Sequence, residues 1–243
     1  MTRTAVISDI HSNWQALQAV WARILELGCD EIYCLGDIVG YGARPIDCLE
    51  HLRRNEVAFI QGNHDALVAD GSLDLKFNVF SLAAVEHNRA QLSPEQLKFL
   101  NDLPNRLEPQ PRVILAHGSP DDRDRYLLSQ KDFQRTSALL FREGGPGICF
   151  FGHTHHALAF DGDNLIPKTQ KKVPISSQEM MLFNPGSVGQ PRDGDPRAAF
   201  IYWDREDGTV NFERVEYNVD RARDEILAAG LPERLGSRLL EGR

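Results

Sequence analysis

Short apolar runs alternate with polar loops and amphipathic helical segments in the first half of the chain. Residues 4–7, 31–35 and 57–60 are apolar runs of strand length, and the segment after the first run repeats apolar residues at helical spacing. Ser12 or Asn13 is placed to cap the start of that helix. This rhythm predicts βαβ units and a largely parallel sheet.

The pattern becomes helical from residue 66 to about residue 111. Ser93, Pro94 and Gln96 together form a capping box with proline at the first helical position, which predicts the start of a helix. We interpret residues 66–111 as a possible helical cap beside a functional site.

Strand-like segments return in the second half. Residues 113–115 and 148–151 are apolar, and each run leads into a polar loop. After residue 157, short apolar segments alternate with turn-rich pieces, which predicts an antiparallel or mixed second sheet. Residues 220–240 indicate one or two helices. Because there is no repeat and no obvious linker, we expect a single domain over residues 1–243.

Composition narrows the class of protein. Hydrophobic residues make up 42% of the chain and charged residues 26%, so a sizeable core can be buried. The net charge of -8 argues against a nucleic-acid footprint, which needs an excess of lysine and arginine. An anionic substrate would need local positive charge, and bound metal ions can supply it. The cysteines lack CxxC spacing and the chain lacks a long apolar stretch, so we expect reduced thiols, no membrane segment and a cytoplasmic protein.

Residues that bind metals or move protons follow the predicted strands directly. In an open α/β sheet the carboxyl ends of the strands form one edge, where loops converge on ligands. We therefore expect these residues to lie close together. They occur at five places: Asp9 with His11, Asp37, Asn63 with His64, His117, and His153 with His155.

Each of these places has a simpler explanation when taken alone. Asp9 and Asp37 are ordinary turn residues, and a single histidine such as His117 can be a hydrogen-bonded core residue. His153 and His155 are more informative, because alternate residues of an extended segment point the same way and would present two imidazoles to one site. Together, two carboxylates, one amide and four imidazoles suit a pair of first-row divalent cations. No cysteine lies near these motifs, which disfavours a structural zinc site of the thiolate type.

The motif series resembles that of the calcineurin-like metallophosphoesterase superfamily. The matching motifs are DxH at 9–11, GD at 36–37, GNHD at 62–65, HG at 117–118 and GHxH at 152–155. NPGS at 184–187 resembles a segment of the small bacterial and archaeal phosphodiesterase branch. The resemblance implies an α/β fold in which two mixed β-sheets pack as a sandwich flanked by helices, with two metal ions at one edge.

The resemblance also implies a division of the ligands between the two ions. Asp9, His11 and His155 would bind the first ion, Asn63, His117 and His153 the second, and Asp37 both. His64 would be a catalytic residue outside the ligand set, contacting a substrate oxygen and helping to protonate the leaving group. Two cations about 3.5 to 4 Å apart can share a hydroxide, lower its pKa and clamp phosphoryl oxygens.

One departure from the family motif narrows the range of expected substrates. Ser/Thr protein phosphatases and symmetrical diadenosine tetraphosphate hydrolases of this superfamily carry an arginine in a GDxVxRG motif, and Tyr41 stands at that position here. A phenol cannot make the bidentate contact of a guanidinium, which argues against protein dephosphorylation. Four arginines either steer a phosphate-bearing ligand or lie in solvated loops: Arg44, Arg123, Arg125 and Arg192.

The sequence therefore predicts a dinuclear-metal-dependent phosphohydrolase or phosphodiesterase in which a metal-bridging hydroxide attacks phosphorus. Asymmetric hydrolysis of a dinucleoside polyphosphate is an alternative, and a non-catalytic metal-binding interaction module is an alternative from a different class. The expected cofactor is two divalent metal ions, Mn²⁺ first, with Fe, Zn, Co and Ni also compatible with the ligands. The expected partner is a small phosphate ester or nucleotide, and the oligomeric state stays open.

Overall fold

Two β-sheets pack face to face in the computed structural model, which describes residues 3–71 and 78–243. The strands are β1 (Arg3–Ile7), β2 (Glu31–Cys34), β3 (Val57–Phe59), β4 (Arg106–Gln110), β5 (Val113–Ala116), β6 (Gly147–Phe151), β7 (Ala157–Phe160), β8 (Lys172–Pro174), β9 (Met180–Pro185), β10 (Ala198–Asp204) and β11 (Thr209–Val215). The helices are α1 (Trp14–Glu26), α2 (Pro45–Arg53), α3 (Asn63–Asp70), α4 (Val79–Gln91), α5 (Pro94–Asp102), α6 (Gln130–Gly144), α7 (Val219–Ala228) and α8 (Glu233–Glu241).

Each sheet contains a block of parallel strands. The first sheet has the order β3-β2-β1-β10-β11-β8, with β1, β2 and β3 parallel to one another. The second has the order β4-β5-β6-β9-β7, with β5, β6 and β9 parallel. The loops that leave the carboxyl ends of the two blocks are hydrogen-bonded to each other, so they meet at one end of the sandwich.

The alternation of side chains along β1 shows how the layers pack. Val6 belongs to the apolar cluster between the sheets, together with Phe150 and Phe183. Ala5 and Ile7 point the other way and pack beneath α1 and α2. Helix α6 covers the outer face of the second sheet in the same manner. The predicted sandwich of two mixed sheets flanked by helices is confirmed.

Three features of the fold differ from the sequence prediction. Residues 106–110, inside the stretch predicted to be helical, form the edge strand β4, whose half-exposed residues give a weak apolar signal. Helix α6 was not predicted, although Ser129 and Asp132 form a capping box at its start. The strands after residue 157 are shared between both sheets, because strand pairing over long distances is not encoded in local periodicity.

The segment interpreted as a helical cap contributes three helices. Within 66–111 lie most of α3 and all of α4 and α5, with α3 packed against both of the others. Residues 72–77 of this segment lie outside the described residues. Asn88 of α4 reaches the loops that follow β1 and β2, so this helix is joined to the functional end of the sandwich.

Helix lengths and thiols bear on two further expectations. None of the described helices combines the length and apolar character that crossing a membrane requires. All four cysteines are free thiols, as the sequence predicted, and three are buried. Burial raises the pKa of the half-buried Cys29 to about 11, so this thiol is protonated at neutral pH.

Candidate metal centre

Backbone hydrogen bonds join the loops that carry the predicted site residues. The N–H of His11 donates to the carbonyl of Asp37 at 2.9 Å, which connects the loops after β1 and β2. In the second sheet the N–H of Gly152 donates to the carbonyl of His117 at 2.7 Å, which connects the loops after β5 and β6. These bonds fix the loops before any side chain takes part.

The predicted ligands lie together in buried groups whose ligand atoms are within 4.8 Å of one another. The groups are Asp9 with His11 and His155, then Asp37 with His117 and His153, and between them His11 with Asp37 and His64. Asn63 joins the second group, because its Oδ1 lies 3.0 Å from Nε2 of His117. The structure thus brings all eight predicted site residues into one cluster.

Backbone carbonyls orient three of the histidines. The distances from Nδ1 to the carbonyl oxygen are 3.1 Å for His11 with Val39, 2.7 Å for His117 with Leu35 and 2.6 Å for His155 with Gln190. A carbonyl oxygen can only accept, so each Nδ1 carries a proton and donates it. With Nδ1 as the donor, each ring turns its Nε2 toward the centre, and Nε2 is then the nitrogen available to a metal ion.

This orientation leaves acceptor atoms facing one another. Nε2 of His11 lies 3.1 Å from Nε2 of His155, although both nitrogens carry lone pairs. Nε2 of His117 likewise faces Asn63 Oδ1 at 3.0 Å and Asp37 Oδ2 at 3.4 Å. Such contacts repel each other unless a proton or a cation lies between the two atoms.

Asp9 places a buried carboxylate oxygen next to the histidines of the first group. Its Oδ1 lies 3.3 Å from Nε2 of His155 and, among the described residues, is buried without a hydrogen bond. Burial, its largest influence, raises the pKa of Asp9 to about 6, with the charge of Asp37 acting in the same direction. Buried carboxylates, imidazoles and an amide oxygen form the donor set that first-row divalent cations accept.

Asp37 lies between the two groups of histidines. Its Oδ2 is 3.6 Å from Nε2 of His11 and 3.4 Å from Nε2 of His117, and its Oδ1 accepts the backbone N–H of His64 at 2.8 Å. Burial acts to raise the pKa of Asp37, but the adjacent imidazoles outweigh it and hold this pKa well below its ordinary value. The carboxylate is therefore ionised and reaches both halves of the cluster.

Three of the proposed ligand histidines have a lowered pKa and are neutral, whereas His117 has a raised pKa and holds a proton. Burial lowers the pKa of His11 and His155 well below the ordinary value and that of His153 to about 3, so these rings are in the neutral form that binds metal. Burial also acts to lower the pKa of His117, but Asp37 outweighs it and raises this pKa to about 9. In the metal-free protein a proton thus occupies the space between His117 and Asp37.

The loop that carries His153 and His155 is a bend, and the expectation of an extended segment is wrong. The φ angles of these residues are 66° and 59°, in the left-handed region, and their rings enter different ligand groups. His153 also points its Nε2 at the carbonyl of Asp124 at 3.2 Å, which leaves Nδ1 for the centre. The ring of Tyr126 stacks on His153, with 3.8 Å between the ring centroids.

Strained backbone is concentrated in these loops. Among the described residues, eight that are not glycine have positive φ, and all but Arg112 lie at the centre: Asp9, His11, Ser12, Asp37, Tyr41, His153 and His155. Each such residue costs on the order of 1–3 kcal/mol unless its surroundings enforce the conformation. Here the hydrogen bonds between loops enforce it.

Asp65 has a positioning role that the sequence reasoning missed. Its Oδ1 accepts the N–H groups of Ile38 at 2.8 Å and Val39 at 3.2 Å, and its Oδ2 accepts the N–H of Gly62 at 3.0 Å. The carboxylate therefore ties the loop after β2 to the loop after β3. Its place inside the GNHD motif was the available signal.

Asn88 was also missed, and the sequence around it gives no signal. Its Oδ1 accepts the hydroxyl of Ser12 at 2.6 Å and the N–H of Gly40 at 2.7 Å, and its Nδ2 donates to the carbonyl of Gly42 at 2.9 Å. This buried amide links α4 to two loops of the centre. The contact depends on tertiary packing over more than 40 residues of sequence.

Three of the four arginines considered as phosphate-steering residues are paired with carboxylates. Arg44 pairs with Asp47 at 2.7 Å, Arg123 with Asp124 at 2.8 Å and Arg125 with Asp121 at 3.1 Å. Arg192 instead lies over the ring of Tyr41, with its Cζ 5.5 Å from the ring centroid. The solvated-loop interpretation therefore suits the first three, and Arg192 lies beside the centre.

Comparisons with known proteins agree with this geometry. A family model for the calcineurin-like phosphoesterase superfamily domain matches residues 2–207. An uncharacterized protein from Methanocaldococcus jannaschii is 37% identical over 243 residues, covering 98% of each chain. The crystal structure of a metallophosphoesterase from Sphaerobacter thermophilus is 36% identical, with a TM-score of 0.85 over 100% of this chain and 99% of that chain.

A third comparison concerns the fold alone. The crystal structure of a hypothetical protein from Pyrococcus horikoshii has a TM-score of 0.84 at 23% identity, over 100% of this chain and 99% of that chain. The family match and the identity to the Sphaerobacter metallophosphoesterase confirm the resemblance seen in the motifs. The chain therefore belongs to the calcineurin-like phosphoesterase superfamily, whose members are metal-dependent hydrolases acting on phosphate esters.

Proposed function

We propose that the protein is a phosphohydrolase with phosphodiesterase activity that works with two divalent metal ions. The observation that carries the proposal is the set of acceptor atoms facing one another in two adjacent places. One is the contact of His11 with His155, and the other is the contact of His117 with Asn63 and Asp37. Each place is electrostatically favourable only with a proton or a cation between the facing atoms, and Asp37 reaches both places.

The proposed ligands follow from this geometry. Asp37 would contact both ions, which places a negative charge between two like charges. The remaining ligands would be Asp9, His11 and His155 for one ion and Asn63, His117 and His153 for the other. Bound ions would supply Lewis-acid charge for the phosphoryl oxygens and a nucleophile derived from water at neutral pH.

His64 is the proposed proton donor to the leaving group. Its backbone N–H is bonded to Asp37, and its ring packs against Tyr41 and His11 with centroids 4.4 and 4.9 Å apart. Burial lowers the pKa of His64 to about 4, with Arg192 and His117 acting in the same direction. Without substrate the His64 ring is thus neutral, and the charge of a bound phosphate would raise this pKa toward the range useful for proton transfer.

We propose Mn²⁺ as the first metal to test, and a small phosphate ester or nucleotide as the substrate. Mixed oxygen and nitrogen ligands suit Mn²⁺, and they also accept Fe²⁺, Co²⁺, Ni²⁺ and Zn²⁺, among which cellular availability decides. Asymmetric hydrolysis of dinucleoside polyphosphates uses the same ligands and stays a second candidate.

The decisive experiment is a substrate screen on protein reconstituted separately with each metal. Substrates should include 4-nitrophenyl phosphate, bis-4-nitrophenyl phosphate, cyclic nucleotides and dinucleoside polyphosphates. We expect turnover of at least one class, a loss of roughly 100-fold or more in kcat for His64→Ala at unchanged metal content, and loss of metal for Asn63→Ala. His87→Ala is the matched control, because His87 is a half-buried residue of α4 whose ring contacts Gln91 and, among the described residues, no proposed ligand.

Two results would contradict the proposal. One is a fully metal-loaded protein that hydrolyses no substrate in the screen. The other is a partner protein that binds equally well to the wild type and to the His64→Ala and Asp37→Ala variants, which would favour a non-catalytic interaction module.

A further inference from the structure

Arg192 lies beside the candidate metal centre, in the segment that follows β9. Its guanidinium Cζ is 5.5 Å from the centroid of the Tyr41 ring. That ring is itself in contact with His11 and His64, at centroid distances of 4.6 and 4.4 Å. Arg192 is thus separated from a proposed ligand and from the proposed proton donor by a single aromatic ring.

The backbone around Arg192 is attached to the ligand loops. The N–H of Gly189 donates to the carbonyl of Asp9 at 2.9 Å, and the N–H of Arg192 donates to the carbonyl of His155 at 3.3 Å. Only glycine fits at position 189, because an added Cβ would lie 1.8 Å from the carbonyl oxygen of Ile10. The position of Arg192 is therefore set by the same loops that hold the metal ligands.

Arg192 keeps donors for a ligand. Its Nη2 and Nε donate to Oε1 of Gln190 at 2.9 and 3.3 Å, and within residues 3–71 and 78–243 it has no carboxylate partner. Arg44 is by contrast paired with Asp47 at 2.7 Å. The side chain of Arg192 also bonds to the Tyr126 hydroxyl. A guanidinium has five N–H donors, so these bonds to neutral groups leave donors over and the charge without a paired carboxylate.

Helix α8 brings more positive charge to the same place. Leu235 and Leu239 of this helix share an apolar cluster with Tyr41, and Arg238 lies next to Leu239. Arg238 is half-buried, and its Nε donates to the main-chain oxygen of Arg243 at 2.8 Å, but no side-chain carboxylate among the described residues pairs with it. Burial lowers the pKa of Arg238, and the charge of Arg192 adds to this effect, so the two guanidinium groups repel each other.

An anion bound between the two arginines would relieve this repulsion. The chain has a net charge of -8, so acidic side chains to pair with arginines are plentiful, yet among the described residues no Asp or Glu side chain forms an ion pair with Arg192 or Arg238. A phosphate oxygen accepts the parallel N–H groups of a guanidinium, which makes arginine pairs suited to phosphate groups.

We propose that Arg192 and Arg238 form an anion subsite beside the metal centre, which holds a phosphate group next to the one that reacts. The proposal rests on the proposed function and narrows its substrate to phosphate esters with two or more linked phosphates. Tyr41 occupies the position at which Ser/Thr protein phosphatases of the family carry an arginine. In this chain Arg192, from the loop after β9, lies over the Tyr41 ring instead.

Binding to metal-free protein tests the subsite without any turnover. Inorganic tripolyphosphate and orthophosphate would be titrated into the protein in the presence of EDTA and followed by calorimetry. We expect tripolyphosphate to bind more tightly than orthophosphate, and we expect Arg192→Ala and Arg238→Ala each to weaken its Kd about tenfold or more. Arg44→Ala should leave the Kd unchanged, and Arg192→Gln provides a second variant that keeps most of the side-chain volume.

Hydrolysis by the Mn²⁺-loaded protein separates the subsite from the proposed function. For Arg192→Ala and Arg238→Ala we expect kcat/KM to fall about tenfold or more on diadenosine triphosphate, and less than threefold on bis-4-nitrophenyl phosphate, which has no second phosphate. Equal losses on both substrates, or unchanged tripolyphosphate binding, would overturn the subsite and leave the proposed function standing. A wild type that binds tripolyphosphate but hydrolyses nothing would support the subsite and remove the proposed function.

Discussion

The two carboxylate oxygens of Asp37 make different contacts at the candidate metal centre. One of its oxygens faces His11 and His117, while the other holds the backbone of His64. Binding of metal ions beside His11 and His117 would need the negative charge, whereas an amide oxygen could accept the N–H of His64 equally well.

Asp37→Asn separates these two contacts. We expect this variant to fold, because the shape and the bond to His64 can be kept, but to lose at least one bound metal ion and roughly 100-fold or more in kcat/KM. Metal content by elemental analysis after gel filtration, together with turnover, checks this. Asp47→Asn, at a surface ion pair on α2, is the control. An Asp37→Asn protein with a full complement of metal would contradict the bridging role.

His51 allows a prediction that does not involve the metal centre. Its ring lies edge-on to Trp21 and Trp14, with centroid distances of 4.5 and 5.3 Å, and its Nε2 is buried without a hydrogen bond among the described residues. Burial lowers the pKa of His51, and the charge of Arg54 adds to the effect. The neutral ring is therefore the form that the folded state prefers.

The pH dependence of unfolding follows from that preference. Because the folded-state pKa lies below the unfolded value of about 6.5, the contribution of His51 is complete above that pH and is lost as the pH falls below it. We expect the free energy of unfolding in urea to fall more between pH 7.5 and pH 5.5 for the wild type than for His51→Phe, which keeps the aromatic contacts. Equal losses in the two proteins would show that His51 does not titrate in this way.

At the scale of elements, the loops of the first sheet touch so closely that a methyl group cannot be added. A Cβ on Gly62 would lie 2.0 Å from Oδ1 and 2.2 Å from the backbone nitrogen of Asp37. The glycine of the GNHD motif is therefore required by the contact between the loops after β2 and β3.

Gly62→Ala should push these loops apart. We expect it to lower the free energy of unfolding by about 1–3 kcal/mol and to weaken metal binding at least tenfold, as checked by urea unfolding and metal titration. Gly28→Ala is the control, because Gly28 has a φ of 64° but open space around it. That variant should lose about 1 kcal/mol of stability with unchanged metal affinity. Similar metal affinities for the two variants and the wild type would contradict the prediction.

The sequence predicted the strands and helices in which buried residues recur periodically. It also predicted the site residues that lie in motifs directly after those strands. Strand β1 was predictable because Val6 and its neighbours alternate between two apolar layers. The clustering of the proposed ligands was predictable because each follows a strand of a parallel block. Asn88 and Arg192 were not, since their roles arise from contacts between segments that are distant in sequence. The left-handed bend at His153 was also hidden, because histidine has no preference for positive φ strong enough to reveal it.

At the scale of the whole molecule, the metal centre connects the two sheets. Asp9 and Asp37 follow strands of the first sheet, whereas His117 and His155 come from loops of the second. Ions bound between them would cross-link the layers at one end and also neutralise buried carboxylates that face each other.

Metal removal should therefore lower the thermal stability of the entire fold. At a free metal concentration of roughly 100 times Kd, binding adds about 2.7 kcal/mol per site, which for a chain of this size corresponds to a rise in Tm of about 5–10 °C. Scanning calorimetry with Mn²⁺ and with EDTA measures this difference. His155→Ala should reduce it, and equal Tm values with and without metal would show that the ions do not join the sheets.

The seven left-handed residues around the centre have a consequence for laboratory evolution. Glycine adopts this backbone conformation without the steric cost that any residue with a Cβ carries, so substitutions to glycine that relieve backbone strain are available at these positions. At five of the seven positions the substitution would also remove a proposed ligand: Asp9, His11, Asp37, His153 and His155. A selection for heat resistance in the absence of metal, without a selection for turnover, should therefore enrich variants that are more stable and inactive, and the positions they change would mark the chemistry of the chain.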